Sequence, residues 1–216
     1  MKLPNIRFVN DDKKLIEAID DWYSYILFDK DAEYFNIINN YKSYIKACES
    51  SVRSSDDYKD YIAWIKGTLG INFCQVMSKV KSSTSVTVEM HHGPIFTLYD
   101  CVECVIEYRL RNNLPITTFK VADQVLEDHY DLIVQTVMLC KTVHEGVHNR
   151  DIYLNSHQII GNLEGFFDKY SPYFTDRHKY NLYINLKMSE KNPSYDNGIL
   201  DTSHIKPYFK EFEKVA

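Results

Sequence analysis

Four of the five histidines between Val86 and Asn149 have the type and spacing for metal chemistry: the adjacent pair His91-His92, and His144 with His148 four residues on. Neutral imidazole nitrogen is a good ligand for zinc, nickel and other late divalent ions, and two or three such ligands leave positions open for water or a phosphate oxygen. On a helix, a spacing of four stacks both imidazoles on one face, about one turn apart. In an extended doublet the side chains point to opposite sides, so one histidine can ligate while its neighbour is free to act as general base, with an unperturbed pKa close to working pH. The stretch His144-Glu145-Gly146-Val147-His148 also spells the H-E-x-x-H of zinc proteases, with Glu as base. That reading ranks second. Gly146 weakens a helix interior by about 1 kcal/mol relative to Ala, the doublet goes unused, and a third ligand must come from Glu164 or His157.

These side chains need elements to hold them. Ser85 to Met90 alternates polar and apolar residues and ends at the doublet, as a half-buried strand does; a second strand-like run covers Ile133 to Leu139, followed by the His144/His148 helix. Between the strands lies a helical insertion, about 97–132. It opens on Thr97 with Asp100 three residues on, a capping box, breaks at Asn112-Asn113-Leu114-Pro115, and continues from Phe119 to about Leu132. Residues 1–78 read as a helical, aromatic-rich region. Leu15 to Ile26 form one helix, Phe35, Ile38, Tyr41 and Ile45 mark a second after Asp31, and Tyr58 to Leu69 a third. Residues 79–160 form the core that carries the histidines, and 161–216 an extension packed on it. There Asp151 to Leu154 suggests a short strand, while Leu182, Ile184, Leu186 and Met188 fit a strand or a helix. The expected fold class is α+β, predominantly helical, with a small ββα unit.

The pattern resembles the HNH, or His-Me finger, nucleases, including the colicin-type DNases. That family's first motif is a His-His or Asp-His doublet closing a strand and followed by Pro, here His91-His92-Gly93-Pro94; its second commonly reads N-L-x-x-L-C-x-x-C-H. The matching run is Gln135-Thr-Val-Met-Leu139-Cys140-Lys-Thr-Val143-His144, with Gln135 in place of Asn and Val143 in place of the second Cys, and His148 falls where the colicin type has a second helical His. The resemblance covers about a third of the chain. It implies a ββα-metal unit and an endonuclease that hydrolyses phosphodiester bonds, in DNA rather than RNA. His91, His144 and His148 would hold one divalent ion (Mg, Mn, Zn or Ni), His92 would act as general base, and Gln135 would brace the backbone around it. The non-enzymatic reading is an inactive His-Me fold serving as a binding or interaction module.

Charge restrains the nuclease reading. The net charge is −5, and residues 79–160 carry seven Lys and Arg against ten Asp and Glu. Phosphate neutralisation by cations supplies most non-specific nucleic-acid affinity. Contact must therefore use local clusters such as Arg109 and Arg111, Lys120, or Lys141 and Arg150, or the ion itself, or go through a partner protein. Five irregularly spaced cysteines do not make a disulfide framework and fit a reducing compartment. Cys101 and Cys104 fall on the apolar side of a helix, which favours buried thiols over a zinc site with Cys140. No apolar run approaches the roughly 18 residues of a membrane span, and Met1 to Asn5 does not open a signal peptide. The expected location is the cytoplasm of a bacterial or phage-infected cell. Low glycine with abundant Tyr, Asn and Lys resembles proteins of AT-rich phage or bacterial genomes.

Overall fold

Strand β1 (Val88–His92) pairs antiparallel with β2 (Thr136–Cys140), setting Met90 opposite Met138, His91 opposite Val137 and His92 opposite Thr136. The computed structural model describes residues 32–154 and 159–190. The described helices are α1 (Ala32–Asn36), α2 (Ile38–Ser54), α3 (Asp56–Gly67), α4 (Leu98–Arg111), α5 (Thr118–Tyr130), α6 (Lys141–His148), α7 (Leu163–Tyr170) and α8 (Asp176–Glu190). The helix expected over Leu15 to Ile26 lies outside these residues.

Because side chains alternate across a strand, the β1–β2 register divides the sheet between two interiors. Val88, Met90 and Met138 join a large core with Ile45, Cys48 and Val52 of α2, Tyr61 and Ile65 of α3, and the inner faces of α4 and α5. Val137 and Leu139 point the other way, into a smaller cluster with Cys74, Val143 and Leu154 under α6. The insertion is the expected helical hairpin, but it is not a pendant: it supplies much of the main core, including the fully buried Val105, Ile106 and Val121. Burying each such aliphatic side chain contributes about 1.5–3 kcal/mol.

The capping chemistry follows the sequence. The Thr97 hydroxyl accepts the Asp100 backbone N–H (3.3 Å) while the Asp100 carboxylate accepts the Thr97 N–H (2.8 Å), a complete capping box for α4. Thr97→Ala should lower stability by about 1 kcal/mol, read as a fall in Tm of about 2–4 °C.

Several expectations need correction. Ile38 is 59% exposed, so the inward stripe of α2 is Tyr44, Ile45, Cys48 and Val52 instead. Residues 151–154 form no strand. The alternating run 182–188 is helical in α8: positions four apart satisfy both a period of two and a period of 3.6, and His178, Leu182 and Leu186, with Tyr183, are buried. The cysteines of the C-x-x-C sit in the main core whereas Cys140 lies in the smaller cluster, so the three do not converge. Gly146 proves to be a contact residue, because a Cβ there would stand 2.8 Å from the Ile152 Cδ1 that packs against α6.

Candidate metal centre

The β1–β2–α6 unit brings the two ends of the predicted site together. Glu89 and His91 occupy the strand face toward α6, and α6 begins directly after β2, so His144 and His148 rise beside His91 on successive turns. The ligand nitrogens of His91, His144 and His148 all lie within 4.8 Å of one another. The His91 ring centroid is 4.9 Å from that of His144 and 5.1 Å from that of His148.

The bond to Glu89 points the His144 lone pair inward. His144 Nδ1–H donates to the Glu89 carboxylate at 2.8 Å, which leaves Nε2 as the acceptor nitrogen, and this faces His148 Nε2 at 3.0 Å. A tetrahedral ion with bonds of about 2.0–2.1 Å holds its nitrogens roughly 3.3 Å apart, so the pair already has nearly the required separation. His91 is pushed down to about 3 by burial first, then by the neighbouring His144 and His148, and is therefore neutral at working pH. Burial and His144 lower His148 in the same direction. Three imidazoles, one oriented by a carboxylate, fit a late divalent ion. They suit the oxygen-seeking Mg far less well. A carboxylate behind a ligating histidine fixes its tautomer and raises its basicity, so Glu89→Ala should weaken zinc binding about 10–100-fold in competition with a chelating dye.

His92 is not a free general base. The pleat that turns His91 toward α6 turns His92 into the helical core, where it is 4% exposed and stacks parallel to Tyr58 with centroids 6.0 Å apart. His129 Nδ1–H donates to the Val125 carbonyl (2.6 Å), so its Nε2 accepts, and the partner at 2.9 Å is His92 Nε2–H. The Nε2–H of His92 is thus a donor inside the protein, turned toward His129. Opposite sides of an extended backbone, foreseen from the doublet, here mean one side chain in the site and one in the core.

Gln135 is buried, but its carboxamide has no hydrogen-bond partner among the described residues. Its main-chain carbonyl instead accepts the Gly93 N–H at 3.1 Å, tying the turn after the doublet to β2. Gly93 itself must be small, since a Cβ there would stand 3.1 Å from His91 Nε2.

The basic residues divide. Arg109 bonds the Pro115 carbonyl and Gln124, and Arg111 the Pro172 carbonyl and Glu107, so both serve as structural ties. Lys141 is exposed on α6, 3.9 Å from Glu145. Arg150 follows α6 and lines a cleft beside His148. Sequence reading missed Arg53: on the last turn of α2, ion-paired to Glu49 at 2.9 Å, it lines one recess with His91, His144 and His148. Nothing local marked it, because a basic residue ending a helix is ordinary and its approach to the histidines is purely tertiary.

His91, not Glu164, completes the histidine pair of α6, while His157 lies outside the described residues. A second group among the described residues with metal-ligand side chains, Asp100, Glu103 and His178, is already bridged by Arg177, which contacts Asp100 at 2.7 Å and also bonds Glu103. It is a buried ion-pair network joining α4 to α8.

Fold and site together define a mainly helical α+β protein built around a ββα unit that clusters three imidazoles. The chain belongs to the bacteriophage G278-like virion protein family, whose model matches residues 4–213. No curated protein and no solved structure matches it. No helix among the described residues is long and apolar enough to cross a membrane.

Proposed function

We propose that this phage protein is a phosphodiesterase dependent on a late divalent metal, acting on nucleic acid and travelling with the phage particle. The observation that carries the reading is the convergence of His91, His144 and His148, from a strand and from the helix that follows its partner strand. The unit has the architecture that the resemblance to His-Me finger nucleases implies. Membership of a virion protein family moves the expected location from the cytoplasm alone to the particle and the cell it infects.

In this reading the three imidazoles hold the ion and Glu89 fixes the His144 tautomer. Bound there, the ion would polarise a phosphate oxygen and make an attacking water more acidic. Arg53 stands on the same recess, where its guanidinium can pair with phosphate oxygens and offset charge gathering there. His92 takes no proton in this scheme. Its part, with His129, is to lock β1 against α5 and so hold His91 in register.

The inward turn of His92 also favours a second reading, in which the trio binds a metal that only stiffens a binding or structural module of the virion. One experiment separates them: calorimetric titration with zinc and nickel, followed by assay of the loaded protein on bis(p-nitrophenyl) phosphate and on DNA, with His144→Ala as control. Hydrolysis lost in the variant supports the enzyme. Tight binding without hydrolysis supports the structural role, and no binding removes both.

A further inference from the structure

Beside the histidines runs a cleft of about 250 Å³, lined by His91 and His148, by Arg150 after α6, and by Asn181 and Asn185 on α8. We propose that this cleft seats the nucleoside adjoining the cleaved phosphate, so that the substrate is an unpaired strand and not a duplex. The inference rests on the phosphodiesterase reading for the phosphate, and on the cleft's own chemistry for the nucleoside.

At about 250 Å³ the cleft suits a single nucleobase, lying just below the roughly 300–1,000 Å³ of cavities that take drug-sized ligands. The lining suits a base in kind. Asn carboxamides offer donors and acceptors together, as the edge of a nucleobase requires. Asn185 keeps its oxygen after donating to the Ile95 carbonyl at 3.0 Å. Asn181 makes no hydrogen bond with its side chain among the described residues, and Tyr180, also lining the cleft, is 55% exposed and presents a ring for stacking. Arg150 has no ion pair among the described residues and lines the cleft together with His148. The cleft's one carboxylate, Asp100, is 2% exposed and held by Arg177, so it does not repel an anion.

Charge selects the strand. A duplex presents dense phosphate that is bound chiefly by rows of Lys and Arg, whereas this chain is acidic overall and spends Arg109 and Arg111 internally. A pocket that grips one base gains affinity without such rows, and an unpaired strand delivers a base without the few kcal/mol of unstacking that a duplex exacts.

The test measures binding apart from catalysis. Titrate zinc-loaded and zinc-free protein with adenosine, cytidine, guanosine and uridine 5′-monophosphates and with inorganic phosphate, following amide shifts by NMR. At least one nucleotide should bind about tenfold tighter than phosphate, and Asn181→Leu should erase the difference while zinc affinity reports an intact trio. Where hydrolysis is seen, a single-stranded oligonucleotide should be cut at least about tenfold faster than its duplex. Equal affinity for phosphate and every nucleotide, or a duplex cut as fast as the single strand, overturns the inference. Failure to hydrolyse bis(p-nitrophenyl) phosphate would sink the phosphodiesterase reading instead, and the nucleotide titration would still decide the cleft.

Discussion

Replacing His91 by Ala should reduce zinc affinity by well over a hundredfold, more than the 10–100-fold that removing an outer carboxylate costs. His91 is the only ligand of the trio contributed by β1, and it is the one whose burial leaves it neutral and ready to bind without losing a proton. Without it, His144 and His148 remain as a two-histidine helix surface. Stability gives an independent readout. Zinc at a hundred times its Kd should stabilise the wild-type protein by about 2.7 kcal/mol, and His91→Ala should show almost none of this shift at the same concentration. Magnesium should give little in either protein, since the trio offers no oxygen ligand. Retained zinc affinity in the variant would mean that the ion is held elsewhere, and the ββα site would have to be abandoned.

The parts of this site legible in the sequence were those fixed by local geometry. A spacing of four put His144 and His148 on one face, alternation ended β1 at the doublet, and Thr97 with Asp100 announced α4. Which histidine of the doublet faces α6 follows from strand register, which depends on the partner strand and on which interior lies behind each face. The family resemblance assigned His91 to the ion, and its ring does sit beside His144 and His148, whereas it assigned His92 to catalysis and the core claims that side chain. Arg109 and Arg111 read as cations available to phosphate because charge is visible in a sequence and hydrogen-bond partners from other elements are not. Arg53 and the cleft against α8 were invisible for the same reason. Each is made by residues far apart in the chain, and the alternating face of α8 did not even settle its own secondary structure.

The buried His92–His129 pair should make the fold lose stability as pH falls from about 6.5 toward 4. Burial holds His129 down to about 4; the Val125 carbonyl opposes this and the Arg53 charge adds to it. Burial, then His129, lowers His92 in the same direction. The rings packed around His129 are Tyr58, Tyr61 and His92, and among the described residues no carboxylate acts on it to compensate an imidazolium. The unfolded chain takes up a proton at each histidine near pH 6.5 while the folded protein does not, so acid favours unfolding. The contribution of His129 is fully present above about pH 6.5 and is lost progressively down to about 4, where the folded state protonates too. A shift from 6.5 to about 4 corresponds to about 3 kcal/mol for this one group. In metal-free protein His91 adds to the same trend, so the informative quantity is a difference between variants. His129→Gln keeps a polar side chain that stays neutral at every pH. Urea unfolding at pH 7.5 and pH 4.5 should show a pH dependence smaller than that of the wild type by about one proton's worth. An unchanged dependence would place the acid sensitivity elsewhere and would deny that this pair locks β1 to α5 in its neutral form.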